Sequence, residues 1–259
     1  MRSGPRCPAS SSARRRSPYA RSCPRLRGRC RPRSSRCPIA RRSTTTKKPV
    51  LTALVLNDLD PADGEQLTAH EHHEGLRLEG ADLSGRDLSG ATFTECELVD
   101  VTAHTTILQH ARLVETRIER LNAPVLDATR STWRDVELSG SRIGALDIYD
   151  AGIRSTRISG SKFDWINLRS SSLEDVLFED CTIEELDLAG VTATRVSFVN
   201  CRTGSLALAQ ARLKDVDLRG LEVGSFSNLE GLAGATLDTQ QITALAPALA
   251  SHLGIRSEG

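Results

Sequence analysis

Aromatic residues and methionine are scarce in this sequence of 259 residues, which holds two Trp, two Tyr, five Phe and one Met. No stretch approaches the roughly 18 consecutive apolar residues that a membrane-spanning helix needs. The longest early apolar run covers residues 50–56 and is interrupted by Thr52. The segment 1–48 also lacks the apolar region of a secretory signal. We therefore expect a cytoplasmic protein that does not enter a membrane.

The sequence also lacks the common catalytic motifs. It has no phosphate-binding G-x-x-x-x-G-K-[ST] loop, no G-x-S-x-G elbow and no H-E-x-x-H pair. His104 and His110 have no cysteine or acid placed to activate a nucleophile. His70, His72 and His73 lie close together, but no second cluster completes a metal site, so an exposed polar turn is expected. These absences predict a protein that is not an enzyme and that holds no metal and no cofactor.

Acidic residues are missing from residues 1–48, which contain 16 Lys and Arg and are rich in Ser and Pro. Such a composition buries too little apolar surface to offset the entropy of ordering, so disorder is expected. Three interpretations compete: an organellar transit peptide, an electrostatic arm for nucleic acid or anionic lipid, and a start site assigned too far upstream. We favour the last, because the segment has no amphipathic period.

What the sequence does contain is an uninterrupted period of five over residues 76–225. Every fifth residue from Leu78 to Val223 is apolar, with Thr203 as the one polar exception. A second column of small or aliphatic residues runs two positions earlier. This period fits neither the amphipathic repeat of a helix nor the simple alternation of a strand. A chain that buries two positions in every pentad must turn a corner once per pentad, and four corners close a coil of four pentads. Such coils stack at about 4.8 Å.

Thirty pentads at four per coil predict about 7.5 coils. Trp133 is the largest residue of the central column, and Ala123 occupies the opposite wall, as a narrow, close-packed interior requires. The predicted core is represented by ten residues of this column: Leu83, Leu88, Phe93, Leu113, Trp133, Ile153, Phe163, Phe178, Phe198 and Leu218.

Several pentads resemble the A-(D/N)-L-x-x consensus of the pentapeptide repeat protein family. The resemblance covers about 150 residues and is carried by segments such as Ala81-Asp82-Leu83-Ser84-Gly85, Arg86-Asp87-Leu88-Ser89-Gly90 and Val216-Asp217-Leu218-Arg219-Gly220. It implies an all-β fold, a right-handed quadrilateral β-helix, usually without catalytic activity. Some members of that family resemble double-stranded DNA and act on DNA gyrase. Here the central residue is Leu or Ile more often than Phe, which departs from those members.

The predicted organisation has four parts: a basic tail (1–48), an N-terminal cap segment (49–75), the solenoid (76–225) and a C-terminal helical cap (226–259). Asp238 and Gln241 form a capping-box pattern ahead of apolar residues at helical spacing over 240–253. Pro247 interrupts this stretch and predicts a kink or two short helices, ended by Gly254. The segment either caps the last coil or, as the resemblance implies, forms a homodimer contact.

One surface feature is predicted in the coil that starts near Ser170, because no basic residue occurs between Ser170 and Thr194. We name its seven carboxylates the acidic belt: Glu174, Asp175, Glu179, Asp180, Glu184, Glu185 and Asp187. A solvated, solubilising surface explains them, and a basic protein partner, a divalent cation or DNA mimicry could each use them. Cys181 and Cys201 lie one coil apart, and free thiols are expected.

The leading functional hypothesis is a non-catalytic scaffold that binds an unidentified protein partner. The first alternative is a DNA-mimicking modulator of DNA gyrase, which the thin spread of acid along the solenoid argues against. The second alternative is nucleic-acid binding through the basic tail.

Overall fold

A computed structural model describes residues 45–256, so residues 1–44 of the predicted tail lie outside the described residues. Strands dominate this part of the chain and are all paired in parallel. They are β1 (Asp60–Ala62), β2 (His72–Glu74), β3 (Leu76–Glu79), β4 (Thr92–Thr94), β5 (Glu97–Val99), β6 (Thr106–Ile107), β7 (Arg112–Glu119), β8 (Asn122–Asp127), β9 (Thr132–Ser139), β10 (Arg142–Asp147), β11 (Gly152–Ser159), β12 (Lys162–Asn167), β13 (Ser172–Glu179), β14 (Thr182–Asp187), β15 (Thr192–Val199), β16 (Cys201–Ala207), β17 (Arg212–Asp217), β18 (Leu221–Ser227) and β19 (Ala235–Thr236).

The strands form a four-sided solenoid in which residue i lies over residue i+20. Leu113, Trp133 and Ile153 stack in register, for example, on β7, β9 and β11. From β7 onwards each coil crosses a 12-stranded sheet and then a 7-stranded sheet. We number the sides of each coil by the pentads of residues 111–130: first (111–115), second (116–120), third (121–125) and fourth (126–130). The predicted all-β solenoid is confirmed.

The corners depend on residues that accept a left-handed backbone. The first corner, between the first and second sides, contains Glu95, Glu115, Asp135, Ser155, Asp175, Arg195 and Asp215, and φ at all seven lies between 50° and 58°. Asp and Asn tolerate this conformation better than most side chains. Part of the outward acid in the repeat therefore serves the backbone.

The Asp of the consensus has a second local task. Asp82 accepts a hydrogen bond from the backbone N–H of Ser84 at 2.9 Å, and Asp187 accepts one from Ala189 at 2.9 Å. These are Asx turns, in which a carboxylate replaces a backbone acceptor at a bend. In the pattern A-D-L, Ala is therefore the small inward residue, Asp forms the turn and Leu is the large inward residue.

The interior is a continuous apolar column. All ten of the residues chosen to represent the core are buried, and Trp133 is 1% exposed. The Trp133 indole N–H donates to the hydroxyl of Ser131 at 2.9 Å, so its polar atom is satisfied inside the protein. The sequence pattern did not indicate this partner.

The predicted count of 7.5 coils is wrong, because the solenoid has about nine turns. At its start β1 pairs with β3 at a shortened offset, with Asp60 opposite Leu76. At its end β17 pairs with β19, again at a shortened offset, with Val216 opposite Ala235. Parallel hydrogen bonding therefore continues at both ends of the solenoid, although the five-residue period of apolar residues is lost there.

The cluster of histidines is not a polar turn throughout. His73 is buried and packs against the ring of Phe93, with centroids 5.3 Å apart, while His72 is exposed. His73 stands one pentad before Leu78 and so belongs to the central column. Because His is not counted as apolar, a search for an apolar residue at every fifth position misses this first pentad.

The C-terminal cap is one helix, α1 (Thr239–His252), after a 3-10 turn at Leu229–Leu232. The capping box of Asp238 and Gln241 is present, and the Gln241 amide also donates to the carbonyls of Leu218 and Leu221 on the last coil. Of the two outcomes predicted for Pro247, a kink or two short helices, the second is wrong, because Pro247 lies inside the single helix α1. Gly254 at φ 72° follows the helix as expected.

A segment with no regular structure, residues 45–57, runs along the outside of the solenoid, and we name it the strap. Its backbone contacts side chains from Asp215 near the last coil to Arg117 near the early coils. No helix within residues 45–256 is long and apolar enough to cross a membrane.

Replacing Trp133 with Ala is expected to destabilise the protein by about 3–5 kcal/mol, because it opens a cavity in a closely packed column. Equilibrium denaturation by guanidinium measures this loss. Val199→Ala is the matched control, since Val199 is 46% exposed and should change stability by less than about 0.5 kcal/mol. A loss below about 1 kcal/mol for Trp133→Ala would contradict the packing described.

Candidate functional site

The acidic belt occupies the coil of residues 171–190, on strands β13 and β14 and, for Asp180, at the turn that follows β13. Its seven carboxylates do not form one uniform surface. Asp175 is 6% exposed, whereas Asp180, Glu184 and Glu185 are exposed and the other three are half-buried. The belt therefore divides into a structural part and an accessible part.

The structural part is a cluster at the first corner. The guanidinium of Arg195 donates from Nε and Nη2 to the two carboxylate oxygens of Asp175, at 2.6 Å each, and from Nη2 to Glu174 at 2.7 Å. The backbone N–H of Val50 in the strap donates to Asp175 at 2.9 Å. These hydrogen bonds, those from Arg195 foremost, lower the pKa of Asp175 below its usual 3.8. Glu174 and Asp175 thus fix the corner and the strap.

The accessible part is defined by carboxylates that have no partner among the described residues, and it consists of Glu179, Glu184 and Glu185. None of the three side chains makes a hydrogen bond or ion pair with any residue from 45 to 256. Asp180 accepts from the amide of Asn200, and Asp187 lies 3.9 Å from Nε of Arg169. The three glutamates extend from the second side around its corner onto the third side.

The second side shows how charges are arranged where they serve the fold. Arg77, Glu97, Arg117, Glu137 and Arg157 alternate in register up this side. Glu97 is paired with Arg77 and with Arg117, at 3.2 Å for the latter, and Arg117 is also 3.3 Å from Glu137. Opposite charges therefore neutralise each other from coil to coil.

The third side is arranged differently. Arg142, Lys162, Thr182 and Arg202 stack in register there, which places two like charges on adjacent strands. Like charges directly opposite on neighbouring strands are destabilising. None of the three cations forms an ion pair within residues 45–256, and they border an open groove of about 280 Å³ that also includes Asp164 and Glu184. Charges of both signs are left without counterions on this side.

The third side also carries the half-exposed Trp165, in register with Ala145 and Glu185. Val125 on the same column is 47% exposed, and Tyr149 on the following side is 39% exposed. Trp, Tyr and Arg are the residues most enriched at the energetic centres of protein interfaces. This aromatic group was missed from the sequence, because Trp165 does not fall in the central column.

Few groups among the described residues could act as metal ligands or nucleophiles. No group of three or more His, Cys, Asp or Glu within residues 45–256 is arranged to hold a metal ion. Cys96, Cys181 and Cys201 are free and buried. The thiol of Cys181 is placed to donate a hydrogen bond to the sulfur of Cys201 and is desolvated, and both effects raise its pKa. A thiol with a raised pKa is a poor nucleophile.

Residues 77–113 match the family described as pentapeptide repeats, in eight copies. This part of the chain therefore consists of pentapeptide repeats. The match covers the coils in which the A-(D/N)-L-x-x pattern is most regular, and the later coils continue in the same register.

Solved structures similar to this chain include a trypsin-treated variant of QnrB1, named a plasmid-mediated fluoroquinolone resistance protein. It is 19% identical, with 77% of this chain and 95% of that chain covered and a TM-score of 0.29. HetL, named a pentapeptide repeat protein involved in heterocyst differentiation regulation from the cyanobacterium Nostoc sp. strain PCC 7120, is 16% identical. The coverage is 65% of this chain and 90% of that chain, with a TM-score of 0.22. No curated protein matches the chain.

The Asp175 cluster predicts an acid-dependent contribution to stability. Because the pKa of Asp175 is lower in the folded protein than 3.8, its contribution is fully present above about pH 5 and is lost as the pH falls through its folded value. Asp175→Asn should cost about 1–3 kcal/mol at pH 7. Between pH 5 and pH 2, the free energy of unfolding of the Asp175→Asn variant should then fall less than that of the wild type.

Denaturant titrations at several pH values measure this difference. Asp180→Asn is the matched control, because Asp180 is a corner aspartate of the same coil that contacts no cation among residues 45–256. Parallel acid limbs for the wild type and Asp175→Asn would show that the Arg195 pair does not contribute to stability.

Proposed function

We propose that this protein is a non-catalytic scaffold that binds a protein partner through the third side of the solenoid and the accessible part of the acidic belt. One observation carries the proposal: Arg77, Glu97, Arg117 and Glu137 on the second side form ion pairs from coil to coil, whereas Arg142, Lys162, Arg202, Glu184 and Glu185 on the third side form none within residues 45–256. Unpaired charges add nothing to the stability of the fold, and like charges in register reduce it. A partner with complementary charges would supply the missing counterions.

The exposed aromatic group supports the same surface. Lys162 lies in the same pentad as Trp165, and Arg169 lies one coil after Tyr149 in its column. Aromatic residues and Arg are enriched at the centres of protein interfaces. The flat sides of a β-solenoid present such groups at the fixed spacing of the coils, about 4.8 Å. The surface is thus preorganised, which lowers the entropic cost of binding.

The belt is tested by reversing Glu179, Glu184 and Glu185 to Lys together. Asp180 is left unchanged, because its φ of 52° disfavours Lys. Affinity capture from an extract of the source cells should recover a partner with the wild type and lose it with the triple variant. The matched control reverses Glu65, Glu71 and Glu222, three exposed glutamates outside the belt.

Circular dichroism should show unchanged β structure in both triple variants. A partner that is captured equally by the belt variant and the wild type would remove the belt from the interface. If the control variant loses the partner as well, net charge rather than the belt determines capture.

A second candidate function, modulation of DNA gyrase, is favoured by a different observation. The first corner carries Glu95, Glu115, Asp135 and Asp215 in one column along the solenoid axis, in addition to Asp175, whose charge is paired with Arg195. Duplex DNA presents closely spaced negative charges along its axis, and a column of carboxylates is the protein feature that resembles them. Ser155 and Arg195 interrupt this column.

This candidate predicts that the purified full chain, titrated to micromolar concentrations, inhibits DNA supercoiling by gyrase or protects gyrase from a poison. A variant with Glu115→Gln, Asp135→Asn and Asp215→Asn should lose the effect. Asn is chosen at the two aspartate positions because it also accepts a left-handed backbone. An absence of any effect of the wild type on supercoiling would exclude the gyrase function.

A further inference from the structure

The strap is bound along several coils of the solenoid without being part of its sheets. Residues 45–57 cross the coils along the first corner and the adjoining edge of the second side. The backbone N–H groups of Lys47, Val50 and Thr52 donate to side chains of three corner residues: Asp215 at 3.3 Å, Asp175 at 2.9 Å and Ser155 at 3.0 Å. Arg117 then donates to the carbonyl of Leu54 at 3.3 Å.

The spacing of these contacts matches an extended peptide to the coil pitch. Two coils separate Asp215 from Asp175, about 10 Å, and three residues of the strap span them at about 3.3 Å each. One coil separates Asp175 from Ser155, and two residues span it. The corner therefore presents acceptors at intervals that the backbone of any extended chain can meet.

Three acceptors on the corner bind backbone N–H groups of the strap. A parallel or antiparallel strand ladder would involve both backbones, but here the solenoid contributes only side chains: carboxylates, a hydroxyl and a guanidinium. Ser155 is buried under the strap, where its hydroxyl accepts the N–H of Thr52 and donates to the Thr52 hydroxyl at 3.3 Å. A corner whose own ladder is complete thus still holds a peptide.

Selectivity comes from two further features. Leu51 and Leu54 are half-buried and border a groove of about 300 Å³ with Asp135, Glu137 and Arg157, while Val50 and Val55 are 70% and 71% exposed. At the other end Lys48 lies close enough to Asp217 to contribute to lowering the pKa of that carboxyl, whose main cause is a hydrogen bond from Arg219. The corner thus favours a basic end beside Asp215 and Asp217 and aliphatic side chains farther along.

We propose that the first corner is a binding groove for an extended peptide segment of another protein, with basic residues followed by aliphatic ones, and that the strap is its intramolecular occupant. This site is distinct from the accessible part of the acidic belt and does not depend on it. A peptide partner binds by displacing the strap, because both use the same acceptors.

The test weakens the strap in the full chain and supplies a peptide in trans. Val50→Pro with Thr52→Pro removes two of the donated N–H groups and leaves every residue of the solenoid unchanged. Ala53→Pro is the matched control, because the N–H of Ala53 donates to no residue within 45–256. The probe is a fluorescent synthetic peptide with the sequence of residues 45–57, and its binding is measured by anisotropy.

The double-proline chain should bind this peptide at least tenfold more tightly than the wild type or the Ala53→Pro chain. Peptides with Lys47→Glu and Lys48→Glu, or with Leu51→Ser and Leu54→Ser, should bind at least tenfold more weakly than the native sequence. Ser155→Ala in the double-proline chain should also weaken binding.

Hydrogen exchange of the strap amides accompanies each titration. Free exchange in the double-proline chain without peptide binding would overturn the proposal, and so would amides that stay protected there, since the two donors would then not hold the strap. A wild-type chain that forms concentration-dependent dimers, lost in the double-proline chain, would assign the corner to the strap of a second copy instead.

Discussion

Every feature of this protein depends on the stacking of residue i over residue i+20. Parallel hydrogen bonding fixes the distance between coils at about 4.8 Å, and the pentad fixes which side chains point inward. Each position in a coil is therefore a column that runs along the solenoid. Inward columns must fill a closed space of constant width, whereas outward columns can be charged, apolar or small. The core, the charge ladders and the corner contacts are all properties of columns and not of single residues.

This constraint explains why the core was predictable from the sequence. A column that must stay apolar through successive coils leaves a period that no helix or simple strand produces, and Trp133 opposite Ala123 identifies the number of sides. The ends were less predictable for the same reason. Where Asp60 pairs with Leu76, or Val216 with Ala235, hydrogen bonding tolerates the shortened offset but the period does not. His73 also fills a core position with a residue that hydropathy does not mark.

The surface was predicted in outline only. The absence of basic residues near Ser170 located the acidic belt, but ion pairing across coils decides which of its members are accessible, and the sequence shows Arg195 only as a residue one coil beyond Asp175. The strap was hidden because its partners are side chains separated from it by up to 190 residues. Residues 49–57 of the strap were assigned to the predicted N-terminal cap segment, and residues 45–48 to the basic tail. Local patterns carry no information about such distant contacts.

The strap also changes how the solenoid is held together. A stack in which each coil touches only its neighbours behaves as a one-dimensional array, and its outermost coils can detach without disturbing the rest. Here one short segment contacts Asp215, Asp175, Ser155 and Arg117, and so spans coils that never meet each other. Detaching the last coil therefore breaks contacts with the strap, and the strap also binds the middle coils. The strap thus gives long-range cooperativity to an architecture whose other interactions are between nearest neighbours.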